Sequence, residues 1–363
     1  MLAGCDTGTD EQQAAPVGDS VTELSAGAPL EPPHFSVGRR TITLIDHERA
    51  DRMLGVDLWY PAIASDVARS VYELVPGVAF AAATAQHEAP PRAGQFPLVL
   101  FSHGRTGMRI SYAMACEALA ARGAVVVSSD HPGDALTDWL LGTHADDRTN
   151  EINRVADAHF LLHALLGGAD PVPVHVANAI DHNQVVLAGH SYGAFTAFAT
   201  AAGSRGVEPH ERVRAIMGFQ AYTRSMSDGL LGRITLPTLL VVSELDQVTP
   251  PAIDAERPWA LLRGEPTWRL DLAGAGHQAV SDIALYAELA EQVPNLPDLV
   301  RAYLTQIAAG TDAAGGRQWR HLLQVQVATA WAFLQVVLGL DAETGEATAE
   351  ALAAEPGLTL RRR

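Results

Sequence analysis

Ten residues restrict what this chain can fold into more than any others: Val185-Val-Leu-Ala-Gly-His-Ser-Tyr-Gly-Ala194. Four apolar residues lead into Gly189-x-Ser191-x-Gly193, and an Ala-rich stretch, 194–202, follows without a break. The pattern reads as a strand, a sharp turn and a helix. A serine at such a turn is held in a strained backbone conformation, and its flanking positions are glycine because a Cβ there would strike the neighbouring strand or helix. The hydroxyl of Ser191 then stands at the C-terminal edge of a sheet, where a nucleophile is needed. A glycine-rich strand-to-helix turn with an ordinary serine carries the same five residues. The apolar run before and the helical run after favour the nucleophile.

The charge balance narrows the chemistry. With 42 acidic and 25 basic residues the formal charge is −17, which argues against nucleic acid as a partner, because phosphate binding needs clustered cations. The chain contains no lysine at all. That excludes a Walker A lysine, a Schiff-base or pyridoxal-phosphate lysine and a Ser-Lys dyad, so a serine nucleophile must take its base from one of the 14 histidines. No cofactor is called for. A length of 363 residues with 48% hydrophobic content allows one large core or two ordinary ones.

Two cysteines imply no disulfide framework. Cys116 falls in the apolar helical pattern 111–122 and is expected to be a small buried residue. Cys5 closes Leu2-Ala-Gly-Cys5, which matches the lipobox of bacterial lipoproteins. Lipidation of Cys5 requires translation to start upstream of Met1, since an apolar leader must precede the motif. It would make the protein a membrane-anchored lipoprotein of the cell envelope; without it a periplasmic, extracellular or cytoplasmic location stays open. Residues 1–34 are poor in apolar clusters and read as a disordered tether.

From Phe35 onward the periodicities are those of a mixed α/β domain. Arg39–Asp46 and Met53–Tyr60 alternate apolar and polar residues, as the two strands of an antiparallel hairpin at a sheet edge do. Pro97–Ser102, Ala124–Val127, Val185–Ala188, Val213–Phe219, Thr238–Val242 and Thr267–Leu272 are continuous apolar runs, which suits strands buried on both faces of a parallel sheet. Helical patterns at Ser111–Arg122, Asn150–Leu166 and Ala252–Leu262 alternate with them. Such alternation specifies a mostly parallel sheet with helices on both faces. Trp319–Leu340 is the most hydrophobic helix, but three glutamines interrupt it, so core packing is expected rather than a membrane span. No linker divides 35–340, which reads as one catalytic domain, and 341–363 reads as a polar tail.

A serine base needs a carboxylate to fix its tautomer, and in elbow-type enzymes the chain order is Ser, acid, His, each just past a strand end. Asp246 follows the strand at 238 and His277 ends the glycine-bearing loop after Leu272. Glu244 competes with Asp246, although the turn-forming Gln-Val-Thr-Pro250 favours the latter. His159 and His163 share one helix face. His131 and Asp134 could be imagined on a metal, but neither a His-Glu-x-x-His motif nor a Cys cluster accompanies them, so no metal is expected. The oxyanion donors are expected to be the amides of Tyr192 and of Arg105, in the glycine-bearing loop 102–107. Phe219 and Tyr222 are candidate pocket walls, and segments 135–147 and 281–316 could overhang the site.

The set Phe101-Ser-His-Gly104, Asp130-His-Pro-Gly133, Gly189-His-Ser-Tyr-Gly193, Asp246-x-x-x-Pro250 and Ala275-Gly-His277 resembles the bacterial α/β-hydrolases related to platelet-activating-factor acetylhydrolase and dienelactone hydrolase. Val37-Gly-Arg-Arg-Thr, Leu58-Trp-Tyr-Pro61 and Ala330-Trp-Ala-Phe333 extend the likeness over 35–340. The resemblance implies an α/β-hydrolase fold and a serine hydrolase of small or accessible carboxylic esters, with Ser191, Asp246 and His277 as triad. An inactive binding lipoprotein on the same scaffold and a serine peptidase or amidase are the alternatives. Arg105 departs from the pattern: facing the cleft, its cation would suit anionic or polar esters. Acyl length, alcohol and oligomeric state are not expressed in these motifs.

Overall fold

The computed structural model describes residues 24–363 apart from 31, 76–77, 295 and 317, so Cys5 and most of the expected tether lie outside the described residues. The strands are β1 (Leu24–Ser25), β2 (Ser36–Asp46), β3 (Arg52–Ala62), β4 (Arg69–Val75), β5 (Val78–His87), β6 (Phe96–Ser102), β7 (Val125–Ser129), β8 (Ile180–His190), β9 (Val213–Phe219), β10 (Thr238–Ser243), β11 (Thr267–Leu272) and β12 (Leu358–Arg362). They form one sheet in the order β1-β5-β2-β3-β7-β6-β8-β9-β10-β11-β12, with β4 on β5. From β7 to β11 every neighbour is parallel. The parallel strands are those of the continuous apolar runs, because both of their faces are covered.

Period-two alternation sends the side chains of each central strand to two cores. Val99, Phe101, Val186, Ala188, Met217 and Val241 meet helices Ala113–Arg122 and Trp319–Val337 on one face. Leu98, Leu100, Val185, Leu187, Ile216 and Leu240 meet helices Asp147–Gly167 and Tyr192–Ala201 on the other. The helix from Trp319 is held as a core element by its glutamine: Gln326 donates through Nε2 to the carbonyls of Ala279 (2.8 Å) and Leu322 (3.0 Å). No helix among the described residues is long and apolar enough to cross a membrane.

Four features differ from the sequence-based expectations. The β2–β3 hairpin pairs antiparallel in full register from Ser36↔Ala62 to Asp46↔Arg52, yet it is interior rather than at an edge, because β3 pairs with β7 and β2 with β5. The outer hairpin β4–β5 has no clear signal, as five of the ten residues of β5 are alanine, which has a weak strand preference. A buried carboxylate anchors it: Glu117 accepts from the amides of Thr84 and Ala85 and from the Tyr72 hydroxyl. The helix expected over 252–262 breaks at Ala255 into Pro251–Asp254 and Glu256–Leu261. At the termini, the expected tether and tail contribute structure. Leu24–Ser25 pairs with β5 and Ala26 is buried, while the C-terminal segment folds as helix Ala342–Ala353 and β12.

The arginines of β12 have folded partners. Arg363 and Thr267 exchange backbone hydrogen bonds at 2.7 and 3.0 Å, Arg361 pairs with Asp271 at 3.5 Å, and the whole strand lies antiparallel on β11. Deleting residues 358–363 should therefore expose the edge of β11 and lower the melting temperature by about 3 °C, as a loss of about 2 kcal/mol does in a domain of this size. Calorimetry of the truncated chain checks this, and an unchanged melting curve would contradict it.

Candidate active site

The turn after β8 has the geometry its glycines suggested. Ser191 adopts φ 54°, ψ −118°, and a Cβ on Gly193 would stand 1.9 Å from the carbonyl oxygen of Ser102. One on Gly189 would stand 2.4 Å from the carbonyl of Gly193. Neither position can carry a side chain without pushing β6, β8 and the helix Tyr192–Ala201 apart. The strained residue is pinned on both sides, its amide donating to Phe219 O (2.9 Å) and its carbonyl accepting from Tyr222 N (3.0 Å).

Ser191, His277 and Asp246 form one hydrogen-bonded row. His277 Nε2 lies 2.9 Å from Ser191 Oγ, and its Nδ1 lies 2.8 Å from Asp246 Oδ2. Because the carboxylate can only accept, Nδ1 carries the proton and Nε2 presents a lone pair to the hydroxyl. Asp246 Oδ1 accepts from the amides of Val248 and Thr249, both at 2.8 Å. Burial alone would raise the Asp246 carboxyl, but the hydrogen bonds from His277 and Thr249 outweigh it and hold the group below the usual carboxylate range. The competing Glu244 is engaged elsewhere, accepting from Gly274 N at 2.8 Å. His277 is reached through a tight loop, in which a Cβ on Gly276 would stand 2.1 Å from Gly310 O.

Beside this row is the loop 103–107. The amides of Arg105 and Tyr192 donate to no group among the described residues; for Tyr192 this is the start of a helix. Behind the loop, the fully buried Arg154 donates to the carbonyls of His103 (2.7 Å) and Gly104 (3.2 Å) and pairs with Asp134 at 2.6 Å. Asp134 and His131 thus have separate partners, for His131 Nδ1 donates to Asp157 at 3.0 Å. Among the described residues no group of three or more His, Cys, Asp or Glu could hold a metal ion.

A ferulic acid esterase from Streptomyces cinnamoneus superposes with a TM-score of 0.63 at 23% identity, covering 86% of this chain and 92% of that one. The fold is that of the α/β-hydrolases. Residues 81–221 match the chlorophyllase family model, a span that includes the loop 103–107 and Ser191 and ends before Asp246 and His277. No curated protein matches the chain in sequence.

On this α/β-hydrolase frame two expected pocket residues take different places. Tyr222 is half-buried beside the turn at Ser191, edge-on to Tyr192 with ring centroids 5.5 Å apart. Phe219 is corrected from pocket wall to core: its ring packs against Phe101 at 6.0 Å and only 2% of it is exposed. It serves the site through its carbonyl. The Arg105 side chain turns to Asp147 and lies over the Tyr192 ring at 4.8 Å, so its charge is already compensated. In the segment 135–147, the short helix Leu136–Leu141 ends on Leu140 and Leu141, which are strongly exposed. Arg154, Tyr112 and Gln326 were missed in the sequence, where a buried polar residue in an apolar pattern carries no mark of its partner.

Two buried imidazoles make the fold acid-sensitive. Burial, then the proximity of His277, pushes His190 down to about 3, and burial with Arg154 and His131 beside it holds His103 well below its usual range. Both are neutral when folded and take up a proton only on unfolding. Below the ordinary imidazole value of about 6.5 the unfolded chain therefore binds more protons, and stability falls as pH falls. His190 alone should remove about 2 kcal/mol by pH 5, at 1.36 kcal/mol per unit, and His103 acts in the same direction. Denaturant midpoints measured from pH 7 to pH 5 should decline steadily; a flat profile would show these groups to be ordinary.

Proposed function

We propose that the chain is a serine hydrolase that cleaves carboxylic esters through an acyl-enzyme. The observation that carries this reading is the row Asp246–His277–Ser191, joined at 2.8 and 2.9 Å with the base in the required tautomer. In the first half-reaction His277 Nε2 takes the Ser191 proton as Oγ adds to the ester carbonyl. The oxyanion is received by the amides of Arg105 and Tyr192, and the imidazolium, stabilised by Asp246, returns the proton to the departing alcohol. Water then repeats the sequence on the acyl-serine and releases the acid. The names of the two similar proteins, a ferulic acid esterase and the chlorophyllase family, support an ester rather than an amide. The motif-level resemblance to hydrolases related to platelet-activating-factor acetylhydrolase and dienelactone hydrolase supports small or accessible esters. Compensation of Arg105 by Asp147 removes the reason to expect an anionic substrate. On the Leu2-Ala-Gly-Cys5 motif alone, anchorage through a lipidated Cys5 remains part of the proposal.

Ser191→Ala should abolish turnover of p-nitrophenyl butyrate and labelling by a fluorophosphonate. Asp246→Asn should lower kcat by about 10³–10⁴-fold while leaving the fold intact. Activity retained in Ser191→Ala would refute the assignment. Paired rates on an ester and the corresponding anilide separate esterase from amidase action.

A further inference from the structure

One hydrogen-bonded chain outside the catalytic row touches both halves of the machinery. His190, next to the nucleophile, turns its ring away from the cleft, and its Nε2 lies 2.7 Å from the backbone carbonyl of His277. Its Nδ1 lies 2.7 Å from the hydroxyl of Tyr112, which in turn receives the amide of Gly104 at 3.1 Å. All four residues of the chain, Gly104, Tyr112, His190 and His277, are buried. Only one proton assignment satisfies the chain. The His277 carbonyl can only accept, so His190 Nε2 bears hydrogen and, in the neutral ring, Nδ1 bears none. Tyr112 must then donate to Nδ1, which leaves its oxygen to accept from Gly104 N–H. The neutral ring agrees with the strong downward shift that burial imposes on His190, and burial likewise keeps the Tyr112 phenol protonated.

The ends of this chain are informative. Gly104 immediately precedes the Arg105 amide assigned to the oxyanion, and His277 is the base. Packing along it is tight: a Cβ on Gly104 would meet His190 Nδ1 at 3.1 Å, Tyr112 Oη at 3.2 Å and Ser191 Cβ at 3.4 Å. The rings of Tyr112, His190 and His277 follow one another with centroids 5.4 and 4.7 Å apart. We propose that His190 and Tyr112 are positioning residues that set the oxyanion loop and the base loop relative to each other, through Gly104 N–H, Tyr112 Oη, His190 and the His277 carbonyl. The inference rests on Ser191 acting as nucleophile and His277 as its base. Because the interaction orients groups that act on the transition state, its loss falls on kcat rather than on KM.

The test uses p-nitrophenyl butyrate, with active sites counted by fluorophosphonate labelling so that misfolded enzyme is not scored. His190→Phe should lower kcat per labelled site by about 10–100-fold with KM within about twofold. Tyr112→Phe, which deletes one oxygen, should lower it by about 10-fold. His190→Gln, whose amide can still donate to the His277 carbonyl, should recover most of the loss seen in His190→Phe. The double variant Tyr112→Phe/His190→Phe should be no worse than His190→Phe, because the second change cuts a chain already cut. Wild-type kcat per labelled site in both single phenylalanine variants, losses that multiply in the double variant, or a change confined to KM would overturn the proposal. If the wild-type enzyme is not labelled, the serine reading itself fails and this inference with it. A labelled wild type with unaffected variants sinks the inference alone.

Discussion

The structure depends on a contact with no room in it. At Gly193 the first turn of the helix Tyr192–Ala201 lies against the end of β6 so closely that a methyl group would overlap the Ser102 carbonyl. This approach brings the loop after β6 alongside the serine at the end of β8. It is possible only because the turn compresses strand into helix over one residue, leaving Ser191 at positive φ. Strain of this kind persists where surrounding structure over-determines it. Here the backbone bonds to Phe219 and Tyr222 on β9 and the loop beyond it hold the residue from the other side.

Around that contact buried side chains hold the loop after β6 through its backbone polar groups. Arg154 is completely enclosed, yet every role it has is paired: Asp134 neutralises it and two loop carbonyls accept from it. Asp157, equally enclosed, takes Arg52 at 2.7 Å and His131 at 3.0 Å. Removing one partner of such a pair leaves an uncompensated buried charge and costs several kcal/mol, whereas the exposed pair His47–Asp51 contributes a fraction of that. The loop 103–107 is thus held from behind by charge-assisted bonds and from the side by Tyr112, while its Arg105 amide donates to no group among the described residues.

The parts of this arrangement that could be read in the chain were the ones written locally. Strands β6 to β11 announce themselves as apolar runs because both faces are buried, and the elbow announces itself because only glycine tolerates its contacts. Asp246 and His277 could be picked out because each follows a strand on a loop with turn-forming residues. Phe219 was misplaced, since an aromatic at a strand end faces core or cleft according to which cover the far face receives. The Ala-rich β5 and the charged β12 were invisible for a related reason. Their strand character comes from pairing with β2 and β4, and with β11, not from their own side chains.

By itself the sequence determined the alternation of strands and helices, the strained turn at Ser191, the lack of any lysine and the chain order of Ser191, Asp246 and His277. Those properties follow from period, from the absence of a Cβ and from which side chains exist in the chain. Tertiary structure decided how Ser191, Asp246 and His277 meet, that Glu244 and the Arg105 cation are drawn away, and that Arg154, Tyr112 and His190 fasten the loops. A hydrogen bond between residues 50 to 100 positions apart leaves no trace in local pattern, because its partners are chosen by the packing of the sheet and its helices rather than by their neighbours in the chain.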